Sequence, residues 1–398
     1  MTRLPELPWL QRAGAKVLLK ALGDGETTRI VGGAVRDSLL GLPVSDVDLA
    51  TRLAPEDVVR RIEAAGLKAV PTGIAHGTVT AVAHGDVVEV TTLRRDVATD
   101  GRHATVAFTE DWRADAARRD FTINALYADP DTREISDFFG GLDDLAVRRV
   151  RFIGDPLQRI AEDHLRILRF FRFHARFGLG APDGAGYAAC VIRANDLMAL
   201  SRERVRDELL KLLAVTDPVP TLATMFEGGI FAPVLPELEQ ARLPDLTRLI
   251  AAEAAAGQGT SPLRRLAALL SPDEALLDGL GARLRLSNVQ RKSLAAMASR
   301  LDRVPPDPRP LAYRAGRDGA IDLLLLAGAS PAVIQSLAQW ERPKLPVSGR
   351  DLIDLGLTPG PVVAATLADV EWQWVEGGAV GDREHVLKLA ADAVSRLR

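Results

Sequence analysis

Two glycines, an arginine and a pair of aspartates one residue apart crowd the stretch GGAVRDSLLGLPVSDVDLA, residues 32–50. Each of these types suits phosphate chemistry. Gly32-Gly33 permits a tight turn with no Cβ in the way, just ahead of a helix start over Ala34–Leu40. The N–H groups of that turn would point at whatever lies above it, and Arg36 one turn in adds positive charge, so the place suits a phosphate. Asp46 and Asp48 fall in a β-like run, where residues two apart project to one face while Val47 and Leu49 enter the core. Two carboxylates so close repel each other, and a divalent cation or a cluster of arginines between them relieves this. Mg²⁺ takes carboxylate oxygens and completes its shell with water and substrate phosphates. Glu89, between Val88 and Val90, offers a third carboxylate if its strand lies beside the aspartates; otherwise it is an exposed edge residue. Taken singly, the glycines fit an ordinary turn and the aspartates a solvated loop, and the pattern is neither a Walker loop nor GxGxxG.

The elements that must position these residues are of two kinds. The first third interleaves short β-like runs (28–31, 47–51, 78–83, 87–93) with helical stretches such as 55–65, and 78–83 with 87–93 reads as an antiparallel hairpin. The polar stretch 96–117, broken by Gly101, reads as a mobile loop. From about residue 155 onward apolar residues recur at helical spacing, with proline breaks near 217–220, 304–308 and 343–349. At 398 residues, 47% hydrophobic and 26% charged, the chain is long enough for two or more domains with real cores. The single cysteine, Cys190, excludes a disulfide framework or a multi-cysteine zinc site and fits a reducing cytoplasm. No cleavable leader and no membrane-spanning apolar run is found, so the expectation is a cytoplasmic protein without membrane contact. A net charge of −3 argues against blanket polyanion binding, so any nucleic-acid contact must use a local basic surface. Residues 148–176 supply one, with eight arginines against three acids. Without other signals such a helix is a solvated charged face.

In order along the chain stand Gly32-Gly33 with Arg36-Asp37, then Asp46-x-Asp48, Glu89-Val-Thr-Thr-Leu-Arg94, Arg118-Arg119-Asp120-Phe121-Thr122-Ile123-Asn124-Ala125 and Glu162-Asp163-His164-Leu165-Arg166. This ordered set resembles the motifs of the class II tRNA nucleotidyltransferase / bacterial poly(A) polymerase family, over roughly residues 29–215. The resemblance implies an α+β fold: a polymerase-beta-like nucleotidyltransferase head, a mixed sheet with helices, followed by an all-helical neck, body and tail. The expected division is 1–150 for the head, 151–216 for the neck that recognises the base, and 217–398 for the body and tail that bind tRNA. It further implies nucleotide transfer to an RNA 3′ end with Mg²⁺ on Asp46 and Asp48, Glu89 completing the catalytic set.

Under that resemblance the remaining motifs acquire roles. Arg118 and Arg119 are forks able to grip triphosphate oxygens, while Asp120 and Asn124 hold ribose or brace the loop. A single helix over Asp155–Arg176 would place Asp163 and Arg166 side by side, an acceptor next to a donor. Cytosine and adenine each show an amino donor beside a ring-nitrogen acceptor, whereas guanine and uracil show a carbonyl beside an N–H. Such a pair fits C and A and opposes G and U, because mismatched buried polar groups are heavily penalised. Arg169 continues the ladder toward the triphosphate; Arg172 lies about half a turn from Asp163. Gly33, Arg36, Arg119, Asp120, Asn124, Asp163, Arg166, Arg169 and Arg172 are therefore the expected nucleotide-binding set. Ser201 caps a following helix with Arg204 and Arg206 outward and Val205, Leu209 and Leu212 inward. His76 is expected to be structural.

The stretch Val70–Val79 looks like the tRNA-repair side of the family, and no Gly-Arg-Arg-Phe-Arg-like element marks the polyadenylating side. Addition of CCA from CTP and ATP to tRNA is thus the expected activity, with poly(A) synthesis or CC-only or A-only addition as alternatives. A non-catalytic RNA-binding relative is the alternative of another class, opposed by the intact Asp46 and Asp48. Only His385 follows residue 174 among the six histidines, so an appended His-Asp phosphohydrolase domain is not expected. Arg264, Arg265 and Arg291 are compatible with tRNA contact or with plain surface. No obligate protein partner is evident.

Overall fold

The computed structural model describes residues 2–99, 104–379 and 381–397, in two compact units, 1–235 and 236–398. The first unit is built on a sheet whose strands are β1 (Thr28–Val31), β2 (Asp48–Thr51), β3 (Lys68–Gly73), β4 (Thr78–Ala83), β5 (Asp86–Thr92), β8 (Leu126–Ala128) and β9 (Ile135–Asp137). Their spatial order is β3-β4-β5-β2-β1-β8-β9. The sheet is mixed: β2 and β5 run parallel and the other neighbours antiparallel. The expected hairpin is β4–β5, with Thr80 opposite Glu89. Strands β6 (Arg94–Thr99) and β7 (Ala104–Phe108) form a separate two-stranded ribbon, followed by helix α4 (Trp112–Ala117). The loop expected over 96–117 is therefore mostly regular structure, apart from 100–103, which lie outside the described residues. Ladder pairing with a partner strand overrides the polar composition that suggested a loop.

Helices α1 (Ala13–Leu22), α2 (Gly33–Leu39), α3 (Pro55–Ala64) and α5 (Gly141–Ala146) cover this sheet region. Their starts follow local rules: α3 opens on Pro55 with Glu56 and Asp57 in its first turn. Beyond them stand α6 (Pro156–Glu162), α7 (Arg166–Phe177), α8 (Gly184–Ile192) and α9 (Arg202–Leu213). The single helix expected over Asp155–Arg176 is thus two. Asp155 caps α6 by accepting from Gln158 N, but at Asp163 the backbone turns extended (φ −153°, ψ 104°) and α7 begins afresh at Arg166. Both halves keep the apolar periodicity, which is why the sequence shows no break: Ile160, Ile167, Leu168 and Phe171 are all buried.

An aromatic cluster docks α7 on the sheet unit. Phe121 lies 5.0 Å from Phe152 and 5.2 Å from Phe173 between ring centroids, and Phe152 stacks on Phe170 at 5.4 Å. Each fully buried phenyl contributes about 2–3 kcal/mol, so the four rings outweigh any single ion pair on this face. Ser201 caps α9 as expected, and Val205, Leu209 and Leu212 are buried.

The second unit is helical among its described residues, with a core of Tyr313, Leu352, Val370, Trp374, Val386, Ala390 and Val394. Arg264 and Arg265, open between tRNA contact and plain surface on sequence grounds, are instead buried. Both pair with the equally buried Glu253, and Arg264 also reaches Asp322 at 2.7 Å. Three interior charges are tolerable only because each has its counter-ion, and a one-dimensional pattern does not show that pairing. Arg291 stays at the surface, paired with Asp278. No described helix is long and apolar enough to cross a membrane.

Candidate active site

The β1–α2 turn sets the position of everything else. Gly32 adopts φ 70°, ψ −121°, a conformation closed to L side chains, and its N–H bonds the Leu126 carbonyl of β8 at 3.1 Å. Arg36 follows on α2 and is 6% exposed. Its guanidinium lies 4.0 Å from the Phe177 ring centroid, donates to Asp37 and, through Nη1, to Asn124 Oδ1. Burial lowers its pKa, and Asp37 opposes that shift. Arg36 thus ties the glycine turn to α7 and to the loop after Arg119.

Below the turn, the register pairs Asp48 of β2 with Glu89 of β5 on adjacent parallel strands. Val47, Leu49, Val88 and Val90 are buried while Asp46, Asp48, Val87 and Glu89 are exposed, so the alternation expected from the sequence holds on both segments. Asp46 differs in one respect: it precedes β2, and its carboxylate accepts from the Ser45 hydroxyl at 2.9 Å. Although the residue is open to solvent, desolvation at its carboxylate raises the Asp48 pKa, Glu89 and Asp46 push in the same direction, and Arg119 opposes them. Among the described residues no three Asp, Glu, His or Cys side chains close into a metal-holding cluster. The donor set nevertheless fits a hard divalent cation. It consists of carboxylate oxygens in mutual repulsion, and such an ion needs only one or two protein carboxylates when phosphate and water fill its shell.

Asp48 opens on a cavity of about 590 Å³. Gly32, Gly33, Arg36 and Asp48 line it from the sheet side; Arg94, Arg118, Arg119, Asp120 and Asn124 from the segment between; and Asp163, Arg166, Arg169 and Phe173 from α7 and the break before it. Six guanidiniums against three carboxylates make it an anion-attracting site within a chain of net charge −3. Of the residues expected from sequence, the cavity brings together Gly33, Arg36, Asp48, Arg119, Asp120, Asn124, Asp163, Arg166 and Arg169. It does not include Asp46 or Glu89, nor Arg172, which instead salt-bridges the buried Glu208 at 2.5 Å.

The arginines are held from behind by acids. Asp115 on α4, 1% exposed, accepts from Arg118 Nε at 2.8 Å, from Arg119 Nη2 at 3.2 Å and from the Tyr127 hydroxyl at 2.7 Å. Burial would raise its pKa, but Arg119 and Arg118 outweigh it and hold the carboxyl at about 2. Asp120 accepts from Phe121 N, Asn124 Nδ2 and Arg169, so it braces the loop in this structure. Its pKa is lowered against burial, chiefly by Arg169. Arg169 reaches Glu208 at 3.9 Å as well.

Asp163 and Arg166 both face the cavity but are not neighbours on one helix, and each has its own partner. Both Asp163 oxygens accept from Arg204 Nη2, at 3.0 and 2.8 Å, and Arg166 donates to Glu162, to the Arg159 carbonyl and to the Arg118 carbonyl. Arg204, expected outward, therefore turns to the site. The sequence reading gave Asp115 no role, named Glu162 and Glu208 only as members of their motifs and placed Arg204 outward. Arg204 and Glu208 stand in Ser201–Leu213, which resembles the family's neck motif, but the helix carries charges along most of its length, so spacing does not single these two out. His76 ends a short 3₁₀ turn and its carbonyl accepts from Arg94, a backbone role.

A sheet carrying adjacent carboxylates, a glycine turn and an arginine-lined cavity together define a nucleotidyl-transferring class of head. Comparison with known proteins gives the same class. Residues 28–151 match the model for the poly A polymerase head domain, and 188–242 match a probable RNA and SrmB-binding site of polymerase A. The Mus musculus mitochondrial CCA tRNA nucleotidyltransferase 1 is 33% identical over 399 residues, covering 96% of this chain and 91% of the relative. The CCA-adding enzyme of Levilactobacillus brevis is 32% identical over 409 residues, covering 98% and 100%. The crystal structure of Bacillus stearothermophilus CCA-adding enzyme in complex with CTP superposes with a TM-score of 0.77 at 30% identity, over 98% of this chain and 99% of that one. The chain belongs to the CCA-adding enzyme (CCA tRNA nucleotidyltransferase) family.

Proposed function

We infer that this protein is a nucleotidyltransferase that adds CMP and AMP, from CTP and ATP, to the 3′ end of tRNA without a nucleic-acid template, releasing pyrophosphate. One observation carries the reading: a single cavity joins Asp48, an array of guanidiniums and the Asp163/Arg166 pair. It thus offers, in one place, groups suited to the reacting phosphate, the leaving group and the base.

Gly32, Gly33 and Arg36 receive the triphosphate at the turn, and Arg119 with Arg169 offsets the charge that builds on the departing pyrophosphate. Asp120 and Asn124 keep Arg169 and Arg36 in place. Asp163 accepts from the exocyclic amine of cytosine or adenine while Arg166 donates to the ring nitrogen. Arg172 serves the same neck from beside Glu208. Asp46 and Asp48 would hold Mg²⁺, with Glu89 alongside in register. When bound, the ion supplies the Lewis acidity that lowers the pKa of the RNA 3′-hydroxyl and neutralises phosphate charge. The attacking oxygen belongs to RNA, so no Ser, Cys or His of the chain acts as nucleophile. On this reading residues 1–150 are the catalytic head, 151–216 the base-selecting neck and 217–398 the tRNA-binding body and tail. The reaction belongs to the cytoplasm, in keeping with the single cysteine.

Labelled CTP and ATP, separately and together, should be supplied to tRNA ending at the discriminator base, to tRNA ending in CC and to an unrelated RNA. The expected outcome is two CMP from CTP alone, one AMP after CC, and CCA from both. Long A tails, or equal labelling of the unrelated RNA, would overturn it.

A further inference from the structure

A second cavity, of about 290 Å³, lies wholly within the second unit. Arg242, at the start of the helix Leu243–Ala255, lines it together with Asp245 and Arg248 of that helix. Arg300 enters from the segment between the helices Asn288–Ala296 and Arg309–Leu326, and the buried Leu249 and Leu325 supply apolar wall. The three arginines are not equally satisfied. Arg242 Nε donates to Glu239 at 3.0 Å, and Arg248 salt-bridges Asp245. Arg300 Nη2 donates to the Ala267 carbonyl at 2.5 Å, but among the described residues Arg300 forms no salt bridge. Capping the helix Pro262–Ala268 thus occupies only part of a group that carries five N–H donors. Burial lowers the Arg300 pKa, Arg242 pushes the same way, and Asp245 opposes them. A half-buried guanidinium set near a second one is costly, and an anion between them relieves the cost.

We propose that this cavity is a binding site for a small organic phosphate monoester: Arg300, with Arg242 and Arg248, takes the phosphate, and Leu249 and Leu325 take a compact apolar or aromatic body. The site shares no residue with the nucleotide cavity of the first unit, and the proposal does not depend on nucleotide transfer. Three guanidiniums and one carboxylate give the wall a surplus of positive charge, which Glu239, the partner of Arg242, reduces without lining the cavity. Guanidinium forks match phosphate oxygens, and a phosphate monoester carries close to two negative charges at pH 7. The apolar wall decides what kind of phosphate fits. A monoester has one substituent, which can lie on the leucines while the oxygens face the arginines. A phosphodiester of an RNA strand has a ribose on each side and one charge, so entering the cavity would carry polar backbone onto apolar wall. The volume is at the low end for ligand pockets, about 300 Å³, and so favours a compact ligand.

The test uses the full chain, with CTP added to saturation so that the cavity of the first unit is occupied. Phenyl phosphate and inorganic phosphate are titrated by calorimetry into the unaltered protein, Arg300→Gln and Arg248→Gln, and tRNA retention on filters is measured for each. Phenyl phosphate should bind once per chain with a Kd of about 0.1–1 mM, the range open to a well-fitted ligand of about eleven heavy atoms. Inorganic phosphate, lacking the apolar body, should bind about tenfold more weakly. Arg300→Gln should weaken phenyl phosphate by about tenfold to a hundredfold, the scale of a lost charge-assisted hydrogen bond, with tRNA retention unchanged. Arg248→Gln, at an exposed side chain, should weaken it by about threefold and carries the test if Arg300→Gln does not fold. Absence of phenyl phosphate binding, or binding that both variants leave intact, would overturn the proposal. Absence of binding joined to a tenfold loss of tRNA retention in Arg300→Gln would overturn it in favour of an RNA backbone contact.

Discussion

Replacing Asp115 by Asn removes one buried charge from beneath two arginines of the candidate site, and its consequences follow from the geometry. The carboxylate lies at about 2 against an ordinary 3.8, which corresponds to about 2 kcal/mol of stability at neutral pH. Because the folded value is depressed, that contribution is fully present above about pH 4 and is lost as pH falls toward 2. The amide presents one acceptor where Arg118, Arg119 and Tyr127 all donate. Asp115→Asn should therefore lose about 2 kcal/mol in urea unfolding at pH 7, and the gap from the unaltered protein should close progressively below pH 4. With one neutral acceptor left for three donors, and its bond to Tyr127 at 3.0 Å, Arg119 is held less firmly, so its grip on phosphate loosens and KM for CTP and ATP should rise about tenfold. A loss below about 0.5 kcal/mol, a gap that does not change with pH, or an unchanged KM would refute the assignment of Asp115 as the anchor of these arginines.

Further expectations can be measured on the same protein. Asp48→Asn and Glu89→Gln should abolish CMP incorporation while sparing tRNA binding in a filter assay, and in metal-free buffer they should raise the unfolding midpoint slightly, since each relieves carboxylate repulsion across β2 and β5. Chelation with EDTA should stop incorporation and added Mg²⁺ should restore it; full activity in EDTA would dismiss the metal assignment. Gly32→Ala has room for its methyl, 3.5 Å from Arg119, but not the backbone freedom, so it should cost about 1–3 kcal/mol and weaken CTP binding in calorimetry. Glu253→Ala, far in sequence from the cavity residues, should destabilise the second unit by about 3–5 kcal/mol by removing the carboxylate that Arg264 and Arg265 share, Arg264 keeping Asp322, read as an early transition in urea.

Features that depend only on neighbours along the chain can be read from the residues alone. Val88-Glu89-Val90 and Val47-Asp48-Leu49 alternate because a strand has period two, so which side chains leave the core was legible in a line of text. Gly32-Gly33 before an apolar helix marked the turn, Ser201 marked the start of α9, and the order of the motifs marked the family. Which side chain holds which emerges from the folded arrangement. Asp115 under Arg119, Arg204 against Asp163, Glu208 beside Arg172 and Glu253 between Arg264 and Arg265 are charge pairs, two of them formed between different helices and a third between α9 and the break before α7. A salt bridge has no period, so no spacing announces it. The break at Asp163 was hidden for a related reason: apolar residues kept helical phase on both sides of it, while the side chain of that one extended residue is held by Arg204 of α9, a helix that begins 39 residues later.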